Sequence, residues 1–381
     1  MTSAIQPPPR LRARRLPPEP EMRKAFMARD EEYDGLFLVG VTTTGIFCRP
    51  SCPARRPRAD HVRFFADATN AADAGYRPCR RCDPLRATGV RPAWVARLVA
   101  SMERSRRKVT DRDLERAGLN PVRVRRYFRK HFGMTFQAYA RKRRLGGALD
   151  QLRRGRRLDE VIMDNGFESH SGFREAFTRT FGQPPGRGRD VTPIVCTWMD
   201  SPLGPIIAGA TGDRLCLLEF SGAESVRQQI ESIRARFKRP AVPGESPLFD
   251  RLKRELTEYF AGTRKEFSIS LVTAGTPFEE RVWSQLLRIP FGTTCSYEQL
   301  AASVGAHGAQ RAVGSANGRN RIAILIPCHR VINKSGKLGG YGGELWRKEA
   351  LLHLEKTGTM TTEGVATLPF EGRPSRSIQA R

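Results

Sequence analysis

The sequence predicts a multidomain α+β protein, and three observations carry that reading. The chain has 381 residues, and a domain usually takes about 100–200. Cys48, Cys52, Cys79 and Cys82 crowd one short stretch, which predicts a small α/β module stapled by metal rather than by a large core. Further on, helical apolar spacing from about 93 to 182 gives way to short apolar runs between Gly and Pro turns from 194 to 220, so an all-α region precedes a mixed one.

From the N-terminus, residues 1–20 are rich in Pro and Arg and read as a disordered basic tail. Residues 21–90 hold the cysteine cluster and a strand at Leu36–Thr43, and Arg86–Pro92 reads as a link. Residues 93–187 form the helical region, and Gln183–Pro193 is a linker by composition. Residues 191–275 combine a small sheet at 194–220 with a helical stretch at 223–262. Residues 276–357 hold helices, Gly-rich turns and an apolar run ending at Pro327. Residues 358–381 have few apolar anchors and read as a loose tail.

Lys and Arg number 66 against 39 Asp and Glu, a net charge of +27. That excess argues against a purely metabolic enzyme and for a polyanionic partner. It peaks at 101–190, with 23 basic and 11 acidic side chains, mostly Arg. Arg forks onto phosphates and guanine edges, although an Arg-rich genome would account for some of the excess. No apolar run approaches the roughly 18 residues of a membrane span, and the basic N-terminus lacks the apolar stretch of a secretory signal. A soluble, cytoplasmic protein is expected.

The cluster reads Cys48-x3-Cys52, 26 intervening residues, then Cys79-x2-Cys82. Two close pairs joined by a loop suit one tetrahedral Zn²⁺. Four thiolates on Zn²⁺ carry a net charge of −2. Two readings are open: the metal only holds the fold, or one sulfur stays nucleophilic and its alkylation lowers repulsion of a phosphate backbone. Cys196, Cys216, Cys295 and Cys328 are scattered and read as buried or reactive thiols.

In the helical region, Thr110–Ala117 fits a capped helix and Gly118–Pro121 a turn. The next helix, Val122–Phe132, is expected to expose Arg123, Arg125, Arg126, Arg129 and Lys130. After a longer helix at Phe136–Arg153 the scheme repeats, with Leu158–Asn165, a turn at Gly166, and Ser169–Phe181. Phe173 and Phe177 are expected inside, Arg174 and Arg179 outside. Two helix-turn-helix units fit this pattern, and so does a plain bundle with a solvated Arg face.

Ile324–Ile326 runs into Pro327-Cys328-His329-Arg330. The apolar run reads as a core strand delivering Cys328 to the edge of a site, with His329 and Arg330 to supply a base and positive charge. Alone, the pair is better read as a buried structural Cys beside a packed His, and only the wider motif reverses that.

Wider motifs carry three resemblances. GMTFQAYARKRRL (133–145) and NGFESHSGFREAFTRTFGQPP (165–185) resemble the double helix-turn-helix of AraC-type regulators, although GRGR follows where that family continues its last helix. VWSQLLRIPFGTTCSYEQLA (282–301) and RAVGSANGRNRIAILIPCHRVINKSGKLGGYGGE (311–344) resemble O6-alkylguanine-DNA alkyltransferases. With TTGIFCRPSC (43–52) and YRPCRRC (76–82), nearly the whole chain is similar to the bacterial adaptive-response family, which joins phosphotriester repair, regulator and transferase in one polypeptide.

The resemblance implies an α/β transferase subdomain followed by a helical, winged-helix-like DNA-binding subdomain. It implies that Cys328 accepts the alkyl group from guanine O6, that His329 deprotonates it through a water, and that Glu355 orients His329. Asn320 would fix the turn, Tyr297 polarise the flipped guanine, Arg311 fill the gap in the duplex, and Tyr341 form a pocket wall. Cys48 would take methyl from a phosphotriester, with Cys52, Cys79 and Cys82 as the other zinc ligands and Thr44 and Arg55 beside the phosphates. Arg123, Arg126 and Arg174 would contact DNA. Each thiol would react once. The implied partners are double-stranded DNA, alkylated and promoter, and RNA polymerase after methylation; the chain is expected to be a monomer associated with the nucleoid. Cys295 is unusual before the Ser-Tyr pair and reads as an inert thiol. Ala323 replaces a Pro of some members and predicts a roomier pocket. The competing reading is a regulator whose transferase half no longer reacts.

Overall fold

Pairing of short strands brings the four N-terminal cysteines together. The computed structural model describes residues 16–30, 33–34, 36–66, 68–82, 84, 92–104, 107–221, 226–343 and 345–360. The tails expected at 1–20 and 358–381 lie outside the described residues, apart from 16–20 and 358–360, and so does the Arg86–Pro92 link except Pro92. The chain divides into two compact units, 1–88 and 89–381.

The first unit runs α1 (Glu19–Met27), β1 (Leu38–Val41), β2 (Ile46–Cys48), β3 (Val62–Phe65), α2 (Ala68–Asp73) and β4 (Arg77–Pro78). The sheet order is β3-β1-β2-β4, with β2 and β4 parallel. The strand expected at Leu36–Thr43 is shorter, because the chain turns after Val41 and reverses at Gly45, whose φ is +62°. Two small apolar clusters, around Phe26, Phe37 and Val39 and around Leu38, Phe47 and Phe65, make up its core.

The second unit opens with α3 (Ala93–Arg104), α4 (Asp111–Arg116), α5 (Pro121–His131), α6 (Phe136–Arg153), α7 (Leu158–Asp164) and α8 (His170–Phe181). Thr110 and Asp113 form a capping box, Asn120 caps α5 before Pro121, and Ser169 caps α8. Phe173, Phe177 and Phe181 fill the inner face of α8.

A four-stranded sheet follows, of β5 (Ile194–Met199), β6 (Ile206–Thr211), β7 (Arg214–Phe220) and β8 (Ala241–Pro243), in the order β7-β6-β5-β8. The stretch 223–262, expected to be helical throughout, is α9 (Val226–Phe237), then β8 parallel to β5, then α10 (Pro247–Phe260). Three residues bounded by Pro240 and Gly244 are too short to show a strand period. The remainder is α11 (Pro277–Leu286), β9 (Cys295–Ser296), α12 (Tyr297–Ser303), α13 (Gln310–Gly318), β10 (Val331–Ile332) and α14 (Leu345–Thr357).

Gln183–Pro193, expected as a linker, is packed. It holds a 3-10 turn at Gly188–Asp190, Gly188 is buried against the Phe177 ring, and Arg153 bonds to the Arg189 and Val191 carbonyls. Nor does it separate the helical region from the sheet. Trp198 of β5 packs on Phe132 and Tyr139 at centroid distances of 4.5 and 5.8 Å, and one apolar cluster joins α3–α6 to the sheet and α9. The apolar run before Cys328 is likewise no strand. Only Ile322 makes a bridge, to Leu218 of β7, and the chain then turns. Ile324, buried, holds φ at +71°, a costly conformation for a β-branched side chain that surrounding packing must enforce.

Candidate thiol sites and nucleic-acid surfaces

Parallel pairing of β2 with β4 sets Cys48 beside Cys79, whose amide donates to the Phe47 carbonyl at 3.0 Å. Cys52 and Cys82 complete the group, and all four Sγ atoms lie within 4.8 Å of one another. Zn–S bonds of about 2.3 Å place tetrahedral sulfurs about 3.8 Å apart, so the cluster fits one zinc. Cys48, Cys52 and Cys79 are buried and Cys82 half-buried. The Arg49 amide points at Cys82 Sγ, 3.4 Å away. Arg56 lies 4.2 Å from the Phe26 ring centroid and donates to the Cys52 carbonyl. Thr44 in the β1–β2 turn and Arg55 are exposed, as are Arg58, Arg77, Arg80 and Arg81.

The helix-turn-helix arginines differ from one another. Arg174 and Arg179 are exposed on α8, the latter paired with Glu175. On α5 only Arg129 is exposed among the described arginines. Arg125 is half-buried and bonded to Asp111 at 2.6 Å; Arg123 lies 5.1 Å from the Trp94 ring centroid; Arg126 is half-buried. The expected row of exposed arginines is therefore partly a row of packed ones, because α3 and α4 cover that face.

The second candidate site surrounds Cys328, which opens a 3-10 turn directly after Pro327. Asn320 builds this turn: its Oδ1 accepts from the Ile322 amide at 2.9 Å and its Nδ2 donates to the Ile326 carbonyl at 2.9 Å. The same Nδ2 lies 3.1 Å from Cys328 Sγ. Burial pushes the Cys328 thiol up to about 11, against the Asn320 donor, so the resting group is the neutral thiol and reaction needs a base.

His329 is fully buried, and its Nε2 meets Glu355 Oε1 at 2.9 Å. Its Nδ1 is also buried and bonds to no described group. With the proton on Nε2 facing the carboxylate, Nδ1 is the basic atom. Burial holds the imidazole below its ordinary value, outweighing the Glu355 charge. Glu355 is gripped further by Arg330 (2.8 and 2.9 Å), Tyr259 Oη (2.8 Å) and the Gly292 amide (3.1 Å). Burial opposes its ionisation, but His329 and Arg330 outweigh that and hold it at about 2. Gly292 has φ +74°, and a Cβ there would meet the Glu355 carbonyl at 2.9 Å.

Cys328 lines a cleft of about 1200 Å³ with Asn320, Tyr297, Tyr341 and Ala323. Tyr297 is half-buried at the start of α12, its ring against Gly339 and its Oη 3.5 Å from the Gly340 carbonyl. Tyr341 is half-buried beside Gly343, where a Cβ would meet its ring at 2.6 Å. Arg311 is exposed in the first turn of α13 and lines the cleft. Cys295 is half-buried, and burial pushes its thiol up to about 11.

Three residues here escaped sequence reasoning. Tyr259 comes from α10, far away in the chain. Lys348 is fully buried, with Nζ donating to the Val331 carbonyl (2.5 Å) and directed at that of Gly339 (3.4 Å); burial lowers it to about 8. Arg347 is buried too and donates to the Leu203 and Gly343 carbonyls. The helical stripe 347, 348, 351, 354, 355 on α14 was the available signal: two cations fall where apolar residues belong.

Four family models match in succession: the metal-binding domain of Ada over residues 21–84, a helix-turn-helix domain over 114–190, and the ribonuclease-like and DNA-binding domains of 6-O-methylguanine DNA methyltransferase over 194–273 and 277–357. The Escherichia coli bifunctional transcriptional activator/DNA repair enzyme Ada is 31% identical over 339 residues, 87% of this chain and 95% of that protein. A methylated-DNA–protein-cysteine methyltransferase of Mycobacterium leprae is 48% identical over 169 residues, 44% of this chain and 96% of that protein. Among solved structures, Mycobacterium tuberculosis OGT in complex with DNA is 44% identical, over 44% of this chain and 95% of that one, with a TM-score of 0.38. The class is that of methylated-DNA–protein-cysteine methyltransferases carrying a zinc module and a helix-turn-helix region. The chain belongs to the Ada family.

Proposed function

We propose that this protein repairs alkylated double-stranded DNA by two irreversible transfers to its own cysteines, and that one of them turns it into a transcriptional activator. The observation that carries the reading is one 3-10 turn bearing two contacts, Asn320 Nδ2 at Cys328 Sγ on the wall of the cleft and His329 Nε2 at Glu355 in the buried layer behind it. The Cys328 thiol gives its proton through a water to His329 Nδ1 as sulfur attacks the alkyl carbon. The new S–C bond forms as the C–O6 bond of guanine breaks. Tyr297 Oη hydrogen-bonds the flipped base, so the leaving oxygen does not depart as a full anion. Arg311 occupies the gap left in the duplex.

A bound zinc would keep its four cysteines as thiolates at neutral pH. Cys48 takes methyl from a phosphotriester: its S–C bond forms, the C–O bond breaks, and the phosphate regains its negative charge. Exposed Thr44 and Arg55 hold the phosphates. The site passes from −2 to −1, which weakens its repulsion of DNA. The helix-turn-helix region then engages promoter DNA through Arg174 and the less exposed Arg123 and Arg126, and recruits RNA polymerase. The protein works as a monomer in the cytoplasm, at the nucleoid; no helix of the described residues is long and apolar enough to cross a membrane.

Peptide mass spectrometry after incubation with methylated DNA tests this. Methyl on both Cys328 and Cys48 is expected. Methyl on Cys328 alone rules out the switch, and methyl on neither favours a regulator with an inert transferase half. Unchanged promoter affinity after methylation counts against the electrostatic mechanism.

A further inference from the structure

One oxygen of Glu355 serves three donors: Oε1 accepts from His329 Nε2 at 2.9 Å, from Arg330 Nη2 at 2.9 Å and from Tyr259 Oη at 2.8 Å. The other oxygen, Oε2, takes Arg330 Nε at 2.8 Å and the Gly292 amide at 3.1 Å. A carboxylate offers about four lone-pair sites, so this one is saturated. His329 and Arg330 share the 3-10 turn of Cys328, but Tyr259 comes from α10, in the ribonuclease-like half of the transferase. Its ring is wholly buried among Phe260, Phe267 and Phe291, at centroid distances of 5.5, 5.4 and 6.1 Å. Burial and the Glu355 charge hold the phenol well above its ordinary value, so it stays protonated and donates at neutral pH. Each donor on Oε1 spreads the carboxylate charge and weakens its pull on the next proton. That matters for His329, whose basic atom is Nδ1. A buried carboxylate 2.9 Å from Nε2 favours the imidazolium, and an imidazolium has no lone pair left to take the Cys328 proton. Arg330 in the same turn and Lys348 on α14 oppose that charge. Tyr341 acts on Tyr259 and Glu355 as well, and burial keeps its phenol neutral.

We propose that Tyr259 is a positioning residue of the transfer to Cys328: its hydroxyl shares the Glu355 oxygen that faces His329, so the carboxylate orients the imidazole without fixing a second proton on it. This rests on the transferase reading of Cys328. The ribonuclease-like half thereby supplies a working side chain to the reaction, besides packing against it. Arg330 drains charge from the same carboxylate through its own charge; Tyr259 does so as a neutral donor.

Single-turnover methyl transfer from a saturating O6-methylguanine duplex to the full-length protein is followed from about pH 5 to 8. Tyr259→Phe keeps the ring and deletes the donor. Its acid limb, where protonation of Nδ1 halts transfer, should move up by about half a unit to one unit. A ring-fluorinated tyrosine placed at 259, a stronger donor of nearly the same shape, should move the limb down, and it carries the test should Tyr259→Phe not fold. In a Glu355→Gln background Tyr259→Phe should leave the limb where it is, because no carboxylate charge remains to be shared. Tyr259 is a packing residue only if the Tyr259→Phe profile, scaled to its own plateau, superimposes on that of wild type, whatever happens to its urea midpoint. A limb that moves down in Tyr259→Phe, or by the same amount with Glu355→Gln present, also overturns the proposal. Absence of methyl transfer by wild type at every pH would instead overturn the transferase reading itself.

Discussion

The Asn320 Nδ2 lies 3.1 Å from Cys328 Sγ while donating at 2.9 Å to the carbonyl of Ile326, two residues before the cysteine. One amide thus shapes the turn and steadies the sulfur as it gains charge. A hydrogen bond to a charged group is worth about 1.5–3 kcal/mol. Asn320→Ala should slow transfer to Cys328 by about tenfold or more and move the thiol above its present value of about 11. The pH dependence of iodoacetamide labelling measures the shift, and an unshifted profile would show that Asn320 only shapes the backbone.

Glu355→Gln removes the charge that orients His329. General-base assistance is worth about 10²–10⁴ in rate, so single-turnover transfer should fall within that range. Because His329 is held below its ordinary value, wild-type transfer should persist to somewhat below pH 6.5 before protonation of Nδ1 halts it. A rate already lost at pH 7 would contradict the assignment.

The same carboxylate predicts acid sensitivity. Glu355 sits at about 2 when folded against an ordinary 4.5. A depressed carboxylate stabilises the fold above its unfolded value, and that stabilisation disappears as pH falls through 4.5 towards 2. Urea midpoints measured across this window should drop more steeply for wild type than for Glu355→Gln.

Removing metal should unfold the first unit while leaving transfer to Cys328 intact. The two apolar clusters of that unit are small, so ligation supplies much of its folding energy. Circular dichroism of the full chain with a strong chelator, read beside methyl transfer to Cys328, checks both outcomes; Cys79→Ser should mimic the chelator.

Trp198→Ala should destabilise the helix-turn-helix region as well as the sheet. Large aromatic-to-Ala changes in a core cost about 3–5 kcal/mol, and Trp198 touches both Phe132 and Tyr139. Promoter binding should weaken, although Trp198 is buried and cannot reach DNA. A protein nicked within 183–193 should still elute as one species on gel filtration.

Much of the chemistry was legible in the sequence because reactive residues cluster locally. Cys48-x3-Cys52 and Cys79-x2-Cys82 announce their metal by spacing, whereas Pro327–Arg330 is legible as a reactive site only within the wider run 311–344. The helices α4 to α8 were legible through Thr110, Asn120, Pro121 and Gly166, whose capping and turn roles are local. Long-range partners were not. Nothing near Tyr259 says that it donates to a carboxylate in α14, and nothing in Phe132 says that its neighbour is Trp198. The apolar Ile324–Ile326 run suggested a strand because composition cannot reveal a left-handed residue held by surrounding packing. Gln183–Pro193 looked like a linker because Gly and Pro serve in packed turns as well as in free ones.

The core common to α3–α6 and the sheet makes the repair half a resident chaperone for the regulator. A gene truncated near codon 190 would leave Phe132 and Tyr139 without their cover, so its product should aggregate instead of surviving as a small DNA-binding protein. In this chain the ability to control genes is inherited only together with the ability to mend guanine.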